Sequence, residues 1–142
     1  MKKLALMIVA VMIASFSFAQ KVQEKGIPAN VENSLKKQYP NVTKVKWDKE
    51  SGKYEATFKL NKVEQSVLID ANGKILETEV AIGVSQLPKN AISYLETHYH
   101  GKSIKDAAKI TDAKGVVTYE AEIKGKDVIF DNNGKFIKEA KE

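Results

Sequence analysis

Two ten-residue stretches, Val67–Leu76 (VLIDANGKIL) and Val128–Ile137 (VIFDNNGKFI), decide how this chain is read. Each is an apolar run, then Asp-x-Asn-Gly-Lys, then a second apolar run. Asn-Gly between apolar runs is the strongest short signal for a β-hairpin, because both residues tolerate positive φ. Asp followed by Asn and Gly also invites comparison with a calcium loop. A loop of the EF-hand kind needs oxygen ligands at positions 1, 3 and 5 and a glutamate at 12. Position 5 is Lys74 in the first stretch and Lys135 in the second, a cation where a ligand is required. Both stretches are therefore predicted to be hairpin turns, and their repetition points to a duplicated scaffold.

The duplication extends outward. Ile27–Pro40 (IPANVENSLKKQYP) matches Leu87–His100 (LPKNAISYLETHYH), and Tyr54–Leu60 (YEATFKL) matches Tyr119–Gly125 (YEAEIKG). The offset is 60 in the first block, 65 in the second and 61 in the third, a drift that loops of unequal length absorb. Three blocks in the same order mark an internal repeat. With only two copies, each is expected to complete the other's core.

Each copy opens on a helix signal. Pro28 and Pro88 suit a first helical turn, where a missing N–H costs nothing. Ile27, Val31, Leu35 and Tyr39, like Leu87, Ala91, Leu95 and Tyr99, recur every four residues and make one apolar stripe per helix. Pro40 and Gly101 end the helices. Strands follow. Tyr54, Ala56, Phe58 and Leu60 alternate with Glu55, Thr57 and Lys59; Val117, Tyr119, Ala121 and Ile123 alternate with Thr118, Glu120, Glu122 and Lys124. A period of two marks strands with one packed and one wet face. Val45 and Trp47 precede in phase, which makes Trp47 a core residue, and Ala108 and Ile110 are the expected counterparts. Val63–Ile69 and Lys126–Phe130 give third strands; Ile75–Val80 and Phe136–Ala140 give fourth strands. Strands this close in sequence pair as antiparallel meanders. The expected fold is α+β: a helix and a four-stranded antiparallel meander, twice, with the helices on one face of a shared antiparallel sheet.

The N-terminus reads as a targeting signal. Lys2 and Lys3 precede the apolar run Leu4–Phe18, and Ser17-Phe18-Ala19 supplies small residues for cleavage after Ala19. The run is shorter than the roughly 20 residues a membrane-spanning helix needs. The expected organisation is signal peptide 1–19, short linker 20–26, first repeat 27–83 and second repeat 84–142. The location is periplasmic or secreted, with no stable membrane insertion after cleavage.

Composition excludes several classes of chemistry. There is no Cys, which removes disulfides, thiol chemistry and cysteine zinc sites. The chain carries a net charge of +5 and all its cations are Lys, with no Arg. Arg supplies the bidentate fork for phosphates and guanine edges, and the charges here alternate in sign, so no nucleic-acid partner is expected. No nucleophile elbow, P-loop or dinucleotide fingerprint occurs, and the chain is not expected to be an enzyme or to hold a cofactor or metal. His98 and His100 could share a metal only on a strand; at a helix end they diverge.

What remains is the wet face. Lys44, Lys46, Glu55, Thr57, Lys59, Glu120, Glu122 and Lys124 are assigned to one side of the sheet, with Leu68, Leu76, Ile129 and Ile137 in phase. Apolar residues among charges on an uncovered sheet face fit a partner surface, and equally a seam between the two copies. These eight polar residues are the candidate site for an unidentified protein or peptide partner. The alternative is a small-molecule or metal accessory protein using His98 and His100.

The paired motifs, together with the signal ending in FAQ and the absence of Cys, resemble the PepSY-like family over residues 24–142. These are small exported proteins of Bacteroidota similar to beta-lactamase-inhibitor protein. The resemblance implies a tandem helix-plus-four-strand fold and, through the family's name, inhibition of secreted enzymes. It supplies no catalytic residue.

Overall fold

The computed structural model describes residues 20–22 and 24–141; the signal segment 1–19 lies outside the described residues. The chain divides into two compact units between Glu79 and Val80. The first contains β1 (Gln20–Val22), α1 (Ala29–Gln38), β2 (Lys46–Glu50), β3 (Lys53–Leu60) and β4 (Val63–Ile69). Strand β5 (Ile75–Ile82) crosses the boundary. The second contains α2 (Lys89–His98), β6 (Ile104–Asp112), β7 (Val117–Ile123), β8 (Lys126–Asp131) and β9 (Phe136–Lys141). Single turns of 3-10 helix at Glu24–Gly26 and Val84–Gln86 precede the two α-helices. All the registered pairs are antiparallel: β1–β2, β2–β3 and β3–β4 in the first unit, β6–β7, β7–β8 and β8–β9 in the second. The α+β class and the repeated order are as the sequence implied. Residues Gln20–Val22, read as linker, form an edge strand on β2.

The helices start where the prolines put them, one position later than a first-turn proline. Pro28 and Pro88 are the flanking caps, and the Pro28 carbonyl accepts from Val31 and Glu32 N–H at 3.0 and 3.1 Å. Each helix buries its stripe on its own meander. Val31 and Leu35 pack with Trp47, Ala56, Phe58, Val67 and Ile69; Ala91 and Leu95 pack with Ala107, Ala121, Ile123, Val128 and Phe130. Each unit therefore has an apolar core under its own helix: one apolar stripe is enough to cover one short meander.

Three hairpins close through two-residue turns in which both residues have positive φ: Ser51-Gly52, Asn61-Lys62 and Lys124-Gly125. This is the twist-matched hairpin turn. It removes Lys124 from the strand face to which the sequence assigned it. Its φ of 56° places it in the turn instead.

The Asp-headed turns have a different geometry. Asp70 accepts from the N–H of Asn72 and of Lys74 on Oδ1, both at 2.9 Å, and its carbonyl accepts from Gly73. Asp131 repeats this with Asn133, Lys135 and Gly134. A third copy, unnoticed in the sequence, is Asp112–Val116 (DAKGV), where Asp112 accepts from Lys114 and Val116. Each is a turn followed by a left-handed glycine, closing a hairpin with a bulge.

Two of the three turns rest on a helix. Asn30 donates its side-chain amide to the Ala71 carbonyl at 2.8 Å, and Ser34 Oγ donates to the Gly73 carbonyl at 2.6 Å. In the second unit Asn90 donates to the Asn133 carbonyl at 3.0 Å. A Cβ on Gly73 would stand 2.9 Å from the Asn30 carbonyl oxygen, and one on Gly134 would stand 2.7 Å from the Ala91 nitrogen.

The drift in repeat offset now has a structural origin. The second copy is longer before its central strand: the Asp112 turn replaces the two-residue turn at Ser51-Gly52, and β6 carries a register shift between Ile104 and Asp106. The first copy is longer afterwards. Phe58↔Gln65 corresponds to the end of the β7–β8 hairpin, beyond which β3 and β4 add the rungs Lys59↔Glu64 and Leu60↔Val63.

Because the N–H groups of Asn133 and Lys135 both donate to one carboxylate oxygen of Asp131, Asp131→Ala is expected to cost about 2 kcal/mol in urea unfolding. The parent's Tm should not change with added calcium. A calcium-dependent rise of several degrees would contradict the turn assignment, since a ligand that binds only the native state stabilises it.

Candidate functional site

Strand register separates the faces. In the first unit Trp47, Ala56 and Val67 stand in one cross-strand row on the helix-covered side. The neighbouring rows point the other way: Lys46–Thr57–Ser66, and Asp48–Glu55–Leu68. In the second unit Ala107–Ala121–Val128 faces the helix, while Asp106–Glu122–Asp127 and Ala108–Glu120–Ile129 face away. Ala108 and Ile110 therefore lie opposite the side the sequence assigned them. The register shift at Ile104/Asp106 inverts the phase of β6, and Ala107 takes the core position. Trp47 is in the core, 4% exposed.

Of the eight candidates, Lys44, Lys46 and Lys59 are exposed, and Glu55 and Thr57 are half-buried. Lys46 pairs with Asp48 at 2.8 Å. Glu120 and Glu122 do share the helix-free face, but they are not wet: each is 7% exposed. Glu120 stands between Ala108 and Ile129, and Glu122 is held by an ion pair with Lys105. Lys124 is apart from the others. A hydrogen bond with Lys102, and then that residue's charge, hold Lys124 below the ordinary lysine value. Asp48, Ser66, Asp106 and Asp127 belong to the same faces and were missed. Asp48 is legible, two residues after Lys46; Asp106 is hidden by the register shift.

Glu55 is the electrostatically unusual member. Burial pushes its carboxyl from 4.5 up to about 7; Asp48 and Glu50 push the same way, and a hydrogen bond with Ser66 and the Lys46 charge oppose them.

Lys44, Thr57 and Lys59 come together with Glu64 around an open groove of about 360 Å³, also lined by Asn41, Val42, Thr43 and Phe58. A smaller cavity of about 150 Å³ lies beside it, sharing Val42 and Thr43 and reaching Trp47. The histidines do not converge. His98 Nδ1 lies 2.9 Å from the Tyr94 carbonyl and its ring stacks on Tyr94 at 3.8 Å, while His100 is in the following turn. No cluster of three metal-ligating side chains occurs among the described residues. No helix among them is long and apolar enough to cross a membrane.

A family profile described as "Putative beta-lactamase-inhibitor-like, PepSY-like" matches residues 17–77 and again 70–138. Several solved structures share the fold. A DUF2874 family protein from Bacteroides uniformis is 20% identical with a TM-score of 0.72, covering 80% of this chain and 88% of its own. A BLIP-like protein from Bacteroides fragilis is 25% identical with a TM-score of 0.65, covering 80% and 85%. One from Bacteroides eggerthii, described as "putative periplasmic", is 13% identical with a TM-score of 0.73, covering 80% and 88%. No curated protein matches the chain.

A raised carboxyl binds its proton more tightly in the folded state, so Glu55 costs stability as pH rises from about 4.5 to about 7. Glu55→Gln should therefore stabilise the protein at about pH 8, by up to ~3 kcal/mol, and change little at about pH 4. Urea unfolding of parent and variant at both values checks this; an equal difference at the two would contradict it.

Proposed function

The chain belongs to the PepSY-like, beta-lactamase-inhibitor-like family, and on that premise we propose that it is a non-catalytic exported binding module. It works in the periplasm after its signal is removed, and docks a protein or peptide on the helix-free sheet face. The observation that carries this reading is the composition of that face in the first unit. Exposed Lys46 and half-buried Asp48, Glu55 and Thr57 stand in register beside Leu68 and Ser66, which are themselves buried, while the helix takes up the neighbouring apolar row. Charges left accessible on a sheet face set association rate and partner choice. An inhibitory role, which the BLIP-like relative suggests, is one form such docking takes.

Site-specific photo-crosslinking in the periplasm of the native host tests this. A crosslinking residue at Lys46, exposed on the helix-free face, should give discrete protein adducts; one at Lys36, exposed on α1, should not. Adducts from Lys36 alone, or from neither position, would contradict docking on the sheet.

A further inference from the structure

The two copies differ in one respect that bears on binding. In the second unit β6 follows β7 to the latter's last residue, Ile104 pairing with Ile123. In the first, β2 pairs with β3 only as far as Lys46↔Thr57, yet β3 continues to Leu60. Phe58, Lys59 and Leu60 pair with β4 on one side and, among the described residues, with no strand on the other. Three residues of strand leave an edge of about 10 Å. The chain that could have closed this edge, residues 41–45, makes one backbone bond among the described residues, from Val42 N–H back to the Tyr39 carbonyl at 3.3 Å. The open groove is lined by residues of this segment, of β3 and of β4.

We propose that this groove takes an extended acidic peptide segment of the partner, which adds a short strand to the free edge of β3. The proposal rests on reading the chain as a binding module and names where and what it binds. An unpaired strand edge supplies main-chain donors and acceptors at strand spacing, and successive side chains of an added strand point to opposite faces. One set meets half-buried Val42, beside the buried Phe58, which calls for apolar residues. Lys44 and Lys59 are exposed at the groove, which calls for carboxylates in the other set. Glu64 also lines it, but as the cross-strand partner of Lys59 it leaves the groove cationic by one. Lysines on an exposed strand edge ordinarily guard it against pairing; here they admit only a strand of opposite charge. The α2–β6 connection and the shorter β7–β8 hairpin leave no such edge, so the site belongs to one copy.

Trp47, the only tryptophan, borders the adjoining cavity with Val42 and Thr43, and its fluorescence reports occupancy. The probe is an end-capped six-residue peptide of alternating valine and glutamate, titrated into the parent protein. It should bind saturably. A valine–lysine peptide, and a valine–glutamate peptide methylated on alternate backbone nitrogens, should each bind at least about tenfold more weakly. A Lys44→Glu, Lys59→Glu variant should melt like the parent and lose about tenfold in affinity for the acidic peptide. No saturable binding of the acidic peptide, equal binding of its methylated form, or undiminished binding by the variant would each overturn the proposal. If the peptide fails while Lys46 still crosslinks a partner, the groove assignment falls and the binding-module reading stands.

Discussion

Each unit depends on one seat, where the hairpin turn after β4 or β8 rests on the start of its helix. A single helix over a short meander could slide or pivot, because apolar contact is non-directional. The seat removes that freedom with directed bonds. Asn30 reaches the Ala71 carbonyl and Asn90 the Asn133 carbonyl, from equivalent positions just inside each helix. The approach is close enough that only hydrogen fits at Gly73 and Gly134. Asp70 and Asp131 shape the turn from within by accepting two backbone N–H groups. The five-residue motif is repeated because each helix needs its own seat.

The helix covers one face, and the two copies use the other face differently, although both bury apolar residues there: Leu68 in the first, Ala108, Ile110 and Ile129 in the second. The second has drawn its carboxylates in: Glu120, Glu122 and Asp127 are all buried, Glu122 against Lys105. The first keeps a mixed surface of lysines, carboxylates and hydroxyls, with Glu55 tuned to near neutrality. It also keeps a strand edge that its sister has closed. Duplication followed by divergence at the strand ends gives one scaffold two surfaces without disturbing either core.

Much of this was legible in the sequence because the signals were local. Proline before a four-residue apolar stripe gave both helices, and alternation gave β3 and β7 with their faces. Asn-Gly gave the two seated turns. What failed was phase beyond a break. The register shift in β6 put Ala108 and Ile110 on the wrong side, since alternation counted across an extra residue inverts. Lys124 continued the alternation of β7 but is the first residue of its turn, and Lys-Gly is a weaker hairpin signal than Asn-Gly. The burial of Glu120 and Glu122 was not legible, because a wet face and a face of paired carboxylates read alike. The offset drift from 65 to 61 did carry information: the four residues are the two extra rungs that make the β3 overhang.

The seat is tested most directly by three alanine substitutions compared in one urea-unfolding series. Gly73, Gly115 and Gly134 have nearly the same φ, 83°, 81° and 82°, and follow the same Asp-headed turn. They differ in surroundings: nothing lies within 4 Å of a Cβ at Gly115, whereas backbone atoms of α1 or α2 crowd the other two. Gly115→Ala should cost only the positive-φ penalty, about 1 kcal/mol. Gly73→Ala and Gly134→Ala should each cost at least about 2 kcal/mol more, because the turn must lift from its helix. Equal losses at all three positions would show that the turns fold without the helices, and the seat would not be what holds each unit together.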